Sequence, residues 1–160
     1  MSLKQTAKQV SASIIKHGQC LATVESCTGG WVAKVLTDLP GSSAVLDCSF
    51  VTYSNQAKQS MVGVRAETLD QFGAVSEETA AEMASGALIN SAATVSLSIT
   101  GVAGPDGGTD AKPVGMVCFA WANKQGLLET EVCHFLGDRK AVRRQSVVHA
   151  LQGVELRLGK

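Results

Sequence analysis

The chain has 160 residues, the size of one globular domain, and such a domain buries about two-thirds of the surface that its unfolded chain exposes. Its formal net charge is zero and neither half carries a long basic run, so the composition argues against a nucleic-acid-binding or membrane-surface protein. No signal-peptide pattern and no apolar run of membrane-spanning length is present. We therefore expect a soluble, unprocessed, cytoplasmic protein with a single domain, residues 1–160, and a small-molecule ligand.

Cysteine and histidine spacing predicts neither disulfides nor a metal centre. The five cysteines include no CxxC pair and are odd in number, which is typical of free thiols in a reducing cytoplasm. The histidines His17, His134 and His149 lack the HxxxH or HxH spacing of a ligand pair. We expect no structural or catalytic metal.

Helical and strand patterns alternate along the chain. Ser2 and Gln5 resemble a capping box for an opening helix, and Ser54, Ser76 and Asp138 are good N-caps for three later helices. A further helix is predicted at 29–36, and strands at 20–24, 50–53, 94–100, 114–121 and 129–135. The last two strands follow each other directly and favour one antiparallel pair. The pattern predicts an α/β fold, a three-layer α/β/α sandwich with a mixed, mostly parallel sheet.

The turn Glu25–Gly30, with the sequence ESCTGG, lies between a predicted strand and a predicted helix. Backbone amides and hydroxyls at a helix N-terminus bind anions well, so this turn is a candidate ligand-binding segment. The alternative is a capped turn that needs glycine only for its backbone shape. Within it, Cys27 is better explained as a packing residue than as a nucleophile, because no histidine lies nearby in the sequence.

The segment Thr100–Gly115, with the sequence TGVAGPDGGTDAKPVG, is a second candidate. Its five glycines and two prolines directly follow a strand that looks buried. Exposed backbone amides after a strand can hold a phosphate or a developing oxyanion. A structural Ω-loop is the alternative, although the glycines supply more backbone freedom than a simple turn needs.

Ser43 is a candidate nucleophile, with Tyr53 and Lys58 as its partners. A neutral lysine can activate a serine, and the start of a helix is a position where the dipole lowers the pKa of Lys58. A fully extended chain would place Ser43 about 30 Å from Tyr53, so the segment 43–48 has to be compact, for example as one helical turn capped by Ser42. The alternative is that both serines are turn residues and Lys58 is a solvated surface lysine.

Three arginines, Arg139, Arg143 and Arg144, lie at the start of the closing helix, where a cation opposes the helix dipole. Arg139 and Arg143 are four residues apart and share one helix face. Such a pair suits either a phosphate or acidic side chains on a neighbouring element.

Five segments together resemble the CinA C-terminal family in their order and spacing, from about Thr23 to Leu151. They are ESCTGG at 25–30, PGSS at 40–43, VTYSNQAK at 51–58, GAVSE at 73–77 and GVAGPDGG at 101–108. The resemblance is to the stand-alone form, without the N-terminal domain of full-length CinA proteins. It implies nicotinamide mononucleotide deamidase activity, which hydrolyses the carboxamide of that nucleotide to nicotinate mononucleotide and ammonia, with no cofactor.

The resemblance also implies site residues. The family's serine nucleophile and its lysine and tyrosine map onto Ser43, Lys58 and Tyr53, and Arg143 is a candidate phosphate partner. Contacts with the substrate and oxyanion are implied for Glu25, Ser26, Thr28, Gly29, Gly30, Thr100, Gly101, Ala103, Gly104, Gly107 and Gly108. One departure is Ser49, where many relatives carry glycine.

Two matters stay open from the sequence. A noncatalytic pyridine-nucleotide-binding module of the same fold is the competing interpretation of the chain. The small-residue face at 80–87 and the exposed-looking Trp31 leave room for a homo-oligomer.

Overall fold

A computed structural model describes all residues, 1–160, and has a five-stranded sheet at its centre. The strands are β1 Leu21–Glu25, β2 Leu46–Val51, β3 Val95–Gly101, β4 Met116–Asn123 and β5 Leu128–His134. Their order in the sheet is β2-β1-β3-β4-β5. β1 pairs in parallel with β2 and β3, whereas β4 is antiparallel to both of its neighbours. All strands except β4 therefore run in one direction, and the predicted mixed, mostly parallel sheet is confirmed.

Six helices cover the two faces of this sheet. They are α1 Leu3–Lys16, α2 Trp31–Thr37, α3 Asn55–Val62, α4 Ala66–Phe72, α5 Glu77–Ile89 and α6 Arg139–Arg157. Helices α1, α2 and α6 pack together on one face, and α3, α4 and α5 lie on the other, which confirms the three-layer sandwich. None of these helices combines the length and apolar character needed to cross a bilayer.

The helix starts follow from local side-chain chemistry. Ser2 forms the predicted capping box, and the side chains of Ser54, Ser76 and Asp138 each accept a hydrogen bond from a first-turn amide. Helix α4 was missed by the sequence prediction because its N-cap, Arg65, makes no capping bond. Caps are local signals, so they are readable from sequence where a polar cap exists.

Strand β2 differs from the prediction of a strand at 50–53. It begins at Leu46, because Leu46–Val51 pairs along β1, and it ends before Tyr53. A short 3-10 helix, Ser42–Ala44, precedes β2; its N-cap is Gly41 rather than the predicted Ser42. The predicted compact turn therefore forms at the amino end of β2.

The carboxyl ends of the parallel strands meet at one edge of the sheet. The turn at 26–30 follows β1, the segment 52–54 follows β2, and the loop 102–115 follows β3. The segment 135–138 follows β5 and leads into α6 at the same edge. Open α/β sheets bind ligands at this edge, where strand order reverses, so the topology directs attention to these four segments.

Candidate active site

Lys58 and Ser26 meet beneath the carboxyl edge of the sheet. The side chain of Lys58 projects from α3, and the residue is only 1% exposed. Its Nζ donates to Ser26 Oγ at 3.1 Å, to the carbonyl of Thr52 at 2.9 Å and to that of Tyr53 at 3.5 Å. Ser26 directly follows β1, and its backbone N–H donates to the carbonyl of Ile99 at 3.0 Å. Strands β1 and β3 and helix α3 thus hold the Ser26 hydroxyl beside the Lys58 amine.

The surroundings of Lys58 favour its neutral form. Burial lowers the pKa of the amine, because water no longer stabilises the ammonium ion. Its partners are one hydroxyl and two carbonyls, so no carboxylate offsets this effect. The predicted direction of the shift is confirmed, but burial rather than the helix dipole is its main cause. The alternative of a solvated surface lysine is wrong.

A pocket of about 300 Å³ opens onto this pair. Its walls come from the turn at 26–27, the segment 53–58, residues 74–75, the loop 100–107 and Arg139. Of the predicted loop residues, those that line the pocket are Thr100, Gly101, Ala103, Gly104 and Gly107. Gly108 does not line it; a Cβ there would lie 2.8 Å from the backbone nitrogen of Val114, which gives this glycine a packing role.

The loop offers free hydrogen-bond donors to the pocket. The N–H of Val102 donates to Met116 and that of Gly115 donates to Val102, which fixes the two ends of the loop. The N–H groups of Ala103 and Gly104, which line the pocket, have no acceptor within the chain. Fixed amides without acceptors can stabilise a developing negative charge.

Ser43 does not join this site. It is exposed in the 3-10 helix before β2, whereas Tyr53 and Lys58 follow the carboxyl end of that strand. Six residues of strand separate the two places, and at about 3.3 Å per residue they span about 20 Å. The expected grouping of Ser43 with Tyr53 and Lys58 is therefore not what this chain forms. The predicted helical turn at Ser43 does form, but it lies at the amino end of β2, on the side of the sheet away from Lys58.

Tyr53 stands at the mouth of the pocket. It is 62% exposed, and its hydroxyl accepts a hydrogen bond from Arg139 Nη2 at 3.2 Å. Its contact with Lys58 is made by the backbone carbonyl. The phenol is therefore placed to touch a ligand rather than to bond to the amine.

Glu25 fills the helix N-terminus that the sequence offered as an anion site. Its carboxylate is fully buried; one oxygen accepts from Val32 N at 2.9 Å and from Thr28 Oγ1 at 2.7 Å. The other accepts from Ala33 N at 3.2 Å and from Ser49 Oγ at 3.4 Å. The carboxyl group of Glu25 thus caps the first turn of α2. Ser49, which stands where many relatives carry glycine, donates a further hydrogen bond to this group.

The remaining residues of this turn shape its backbone. Gly29 and Gly30 have φ values of +60° and +95°, a region that side chains rarely adopt. Cys27 lines the pocket, but burial raises the pKa of its thiol to about 12, so thiolate is scarce at neutral pH. Within the turn, Ser26 is the side chain best placed for chemistry.

A larger, more open cavity of about 890 Å³ adjoins the pocket beside α6. Ala103 and Arg139 line both spaces, and Lys140 and Arg143 line the larger one. Arg143 donates from Nε to the carbonyl of Cys27 at 3.0 Å and also bonds to the Thr28 carbonyl, so it holds the turn as well as facing the cavity.

Sequence reasoning missed part of this site. It singled out Arg139 without placing it there, and it did not select Asn55 or Asp106, which line the pocket. Ser26 was expected only to bind substrate. Two features of the sequence could have indicated these residues. Arg139 is four positions from Arg143, and Asn55 lies within the motif VTYSNQAK.

The fold and the site define a three-layer α/β/α protein with a serine and lysine pair at the carboxyl edge of its sheet. The chain belongs to the CinA C-terminal domain family, whose sequence model matches residues 3–158. It is 55% identical over 150 residues to the nicotinamide-nucleotide amidohydrolase PncC of Escherichia coli strain K12, covering 94% of this chain and 91% of that protein. It is 48% identical to the protein of that name from Enterobacter agglomerans, covering 94% and 92%.

A solved structure agrees with this family assignment. The competence/damage inducible protein CihA from Agrobacterium tumefaciens has a TM-score of 0.95 to this chain and 40% sequence identity, with 100% of both chains covered.

Proposed function

We propose that this chain hydrolyses the carboxamide of nicotinamide mononucleotide to give nicotinate mononucleotide and ammonia. The observation that carries the proposal is the 3.1 Å contact between Lys58 Nζ and Ser26 Oγ at the floor of a pocket. The relatives named nicotinamide-nucleotide amidohydrolase support the choice of substrate.

In the proposed reaction Ser26 is the nucleophile and Lys58 is the base. Neutral Lys58 takes the hydroxyl proton as Ser26 Oγ attacks the carboxamide carbon, and the amides of Ala103 and Gly104 stabilise the oxyanion. The Lys58 ammonium returns the proton to the leaving nitrogen, and ammonia departs. Water then attacks the acyl ester on Ser26 and gives a proton to Lys58. The Lys58 ammonium passes this proton to Ser26 Oγ as the ester bond breaks, and nicotinate mononucleotide leaves as the carboxylate, its acid proton going to solvent.

The two connected spaces suit the two ends of this substrate. The pyridine ring fits the smaller pocket, with Tyr53 at its mouth. The ribose phosphate extends into the larger cavity, where Arg139, Lys140 and Arg143 supply positive charge. Phosphate binding is thereby shared among these three cations rather than carried by Arg143 alone.

The decisive experiment compares Ser26→Ala with Ser43→Ala in an ammonia-release assay on nicotinamide mononucleotide. We expect Ser26→Ala to lose about 10³-fold or more in kcat while still binding the nucleotide. Ser43→Ala, a matched change at the opposite edge of the sheet, is expected to stay within about twofold of the wild type. The reverse result would return the nucleophilic role to Ser43.

The noncatalytic alternative makes a different prediction for the unmodified protein. Both interpretations predict that the nucleotide binds, but only an enzyme releases ammonia. Binding without ammonia release across a broad pH range would contradict the enzyme. An unchanged rate in Lys58→Ala would instead reject the serine and lysine mechanism while leaving the activity in place.

A further inference from the structure

Three potential ligand atoms converge between β5 and α6, outside the pocket that holds Lys58. Glu131 and Cys133 lie on β5, and His149 lies on α6. His149 Nε2 is 2.8 Å from Glu131 Oε2 and 3.4 Å from Cys133 Sγ, and all three atoms lie within 4.8 Å of one another. Sequence spacing did not reveal this cluster, because a helix and a strand bring the residues together.

The sulfur to nitrogen separation is close to that of a tetrahedral metal site. Zinc lies about 2.3 Å from sulfur and about 2.0–2.2 Å from nitrogen or oxygen, which implies ligand separations of about 3.3–3.6 Å. For a sulfur and a nitrogen ligand these bond lengths give about 3.5 Å, and the observed distance of 3.4 Å is close to this value. The nitrogen to oxygen distance of 2.8 Å is that of a hydrogen bond, so it would have to open by roughly half an ångström.

Neighbouring groups already orient the ligands. The ring of His149 packs against Phe119 and Phe135, with centroid distances of 4.7 and 6.1 Å, which directs its Nε2 toward β5. The second oxygen of Glu131 accepts from Arg157 Nη2 at 2.8 Å. Contacts of this kind hold the ligand side chains in place.

The cluster is also accessible to solvent. The side chains of His149 and Glu131 are 31% and 40% exposed, which leaves an entry path and room for a water molecule as a fourth ligand. A cysteine ligates a metal as the thiolate, so binding displaces the thiol proton of Cys133.

We propose that Glu131, Cys133 and His149 form a binding site for one divalent transition-metal ion, with Zn²⁺ as the expected occupant. Thiolate, imidazole and carboxylate together match the borderline softness of zinc. Binding replaces the thiol proton of Cys133 by a sulfur–metal bond and releases one proton. The ion ties the edge strand β5 to α6 and stabilises the fold, and it has no part in the proposed hydrolysis.

The test uses Co²⁺ as a spectroscopic probe on the full chain after removal of metals with a chelator. We expect a thiolate-to-cobalt charge-transfer absorption that saturates at one Co²⁺ per chain and disappears when Zn²⁺ is added. Zn²⁺ is also expected to raise the Tm by a few degrees. Absence of the absorption in the wild-type protein would overturn the proposal.

Substitutions assign the signal to these residues. Cys133→Ser and His149→Gln should lose it, whereas Cys20→Ser and His134→Gln, matched changes outside the cluster, should keep it. Retention in Cys133→Ser would reject the site. A measurement that needs no variant is alkylation of the wild-type protein, where Zn²⁺ should slow the modification of Cys133 but not that of Cys20; equal rates for Cys133 with and without Zn²⁺ would also reject it.

Discussion

Lys58 combines full burial with the lack of an acidic partner, and this sets the pH dependence of the proposed reaction. Burial lowers the pKa of its amine below the usual 10.5. Only the neutral amine can accept the proton of Ser26. The active form is therefore present above the Lys58 pKa and is lost as the pH falls through it.

We expect kcat/KM for ammonia release to rise with pH and reach a plateau, with an apparent pKa below that of an ordinary lysine. Lys58→Arg should be at least about 10²-fold slower and should lack this rise, because a guanidinium stays protonated. Initial rates measured from acid to alkaline pH check both points. A wild-type profile that Lys58→Arg reproduces would show that another group is the base.

Glu25 is a buried carboxyl group that accepts hydrogen bonds from the first turn of α2 and from Ser49 on β2. A glutamine at this position keeps one acceptor oxygen but turns an amide donor toward donors such as Ala33 N. We expect Glu25→Gln to lower the free energy of unfolding by about 1–3 kcal/mol, as measured by urea denaturation. Glu67→Gln, an exposed change on α4, is the control and should stay within about 0.5 kcal/mol of the wild type. Equal stability of Glu25→Gln and the control would contradict the capping role.

At the scale of elements, the close contact of α6 with β4 depends on a glycine. A Cβ at Gly153 would lie 2.2 Å from the ring of Trp121, whose Nε1 donates to the carbonyl of Ala150 at 3.0 Å. The indole therefore occupies the space that any side chain at position 153 would need. Helix α6 in turn carries Arg139 and Arg143 to the site.

Gly153→Ala is predicted to destabilise the protein by about 1–3 kcal/mol, because the gain in helix propensity is smaller than the cost of moving the ring. Urea unfolding with tryptophan fluorescence measures the change. Gln152→Ala, the exposed neighbour on the same helix, should shift the free energy of unfolding by less than about 0.5 kcal/mol. A stability gain in Gly153→Ala would mean that the ring moves at little cost.

At the scale of the whole molecule, a chain of zero net charge concentrates cations at one place. Arg139, Lys140 and Arg143 line the same cavity with Asp138 as its one acidic residue, so the lining carries a net positive formal charge although the charges of the whole chain balance. Such a lining favours a substrate that carries a phosphate.

Lys140→Gln should therefore lower kcat/KM for nicotinamide mononucleotide by about 2–10-fold and leave that for nicotinamide riboside unchanged. Ammonia release from the two compounds provides the comparison, and added salt should reduce the difference. Lys124→Gln, on the exposed β4–β5 turn, is the charge-matched control. An equal loss with the riboside would argue against phosphate recognition by this cavity.

Local chemistry explains which features were predictable. Ser2, Ser54, Ser76 and Asp138 cap helices through bonds to residues three positions away, and such signals survive in any tertiary context. The lowered pKa of Lys58 was predicted in direction, but from the helix dipole. Its burial depends on the packing of α3 against the rest of the protein and is not written in the segment 54–62.

The position of Ser43 in the fold could not be predicted from the local sequence. Ser43 and Tyr53 are ten positions apart in the sequence, and this short separation suggests proximity if the segment forms a compact turn. Pairing with β1 extended β2 back to Leu46 and carried Ser43 to the far edge of the sheet. Which residues a strand recruits depends on its neighbours, because hydrogen bonding between strands is not local.

The amino-acid sequence alone was enough for the alternation of strands and helices, for the family and for the selection of the glycine-rich loop and of Lys58 as candidates, since each rests on nearby residues or on ordered motifs. Tertiary structure was needed to pair Ser26 with Lys58 across 32 positions, to turn Glu25 away from the ligand and to gather Glu131, Cys133 and His149. Those contacts depend on strand order and helix packing, which place residues distant in the chain within a few ångströms of each other.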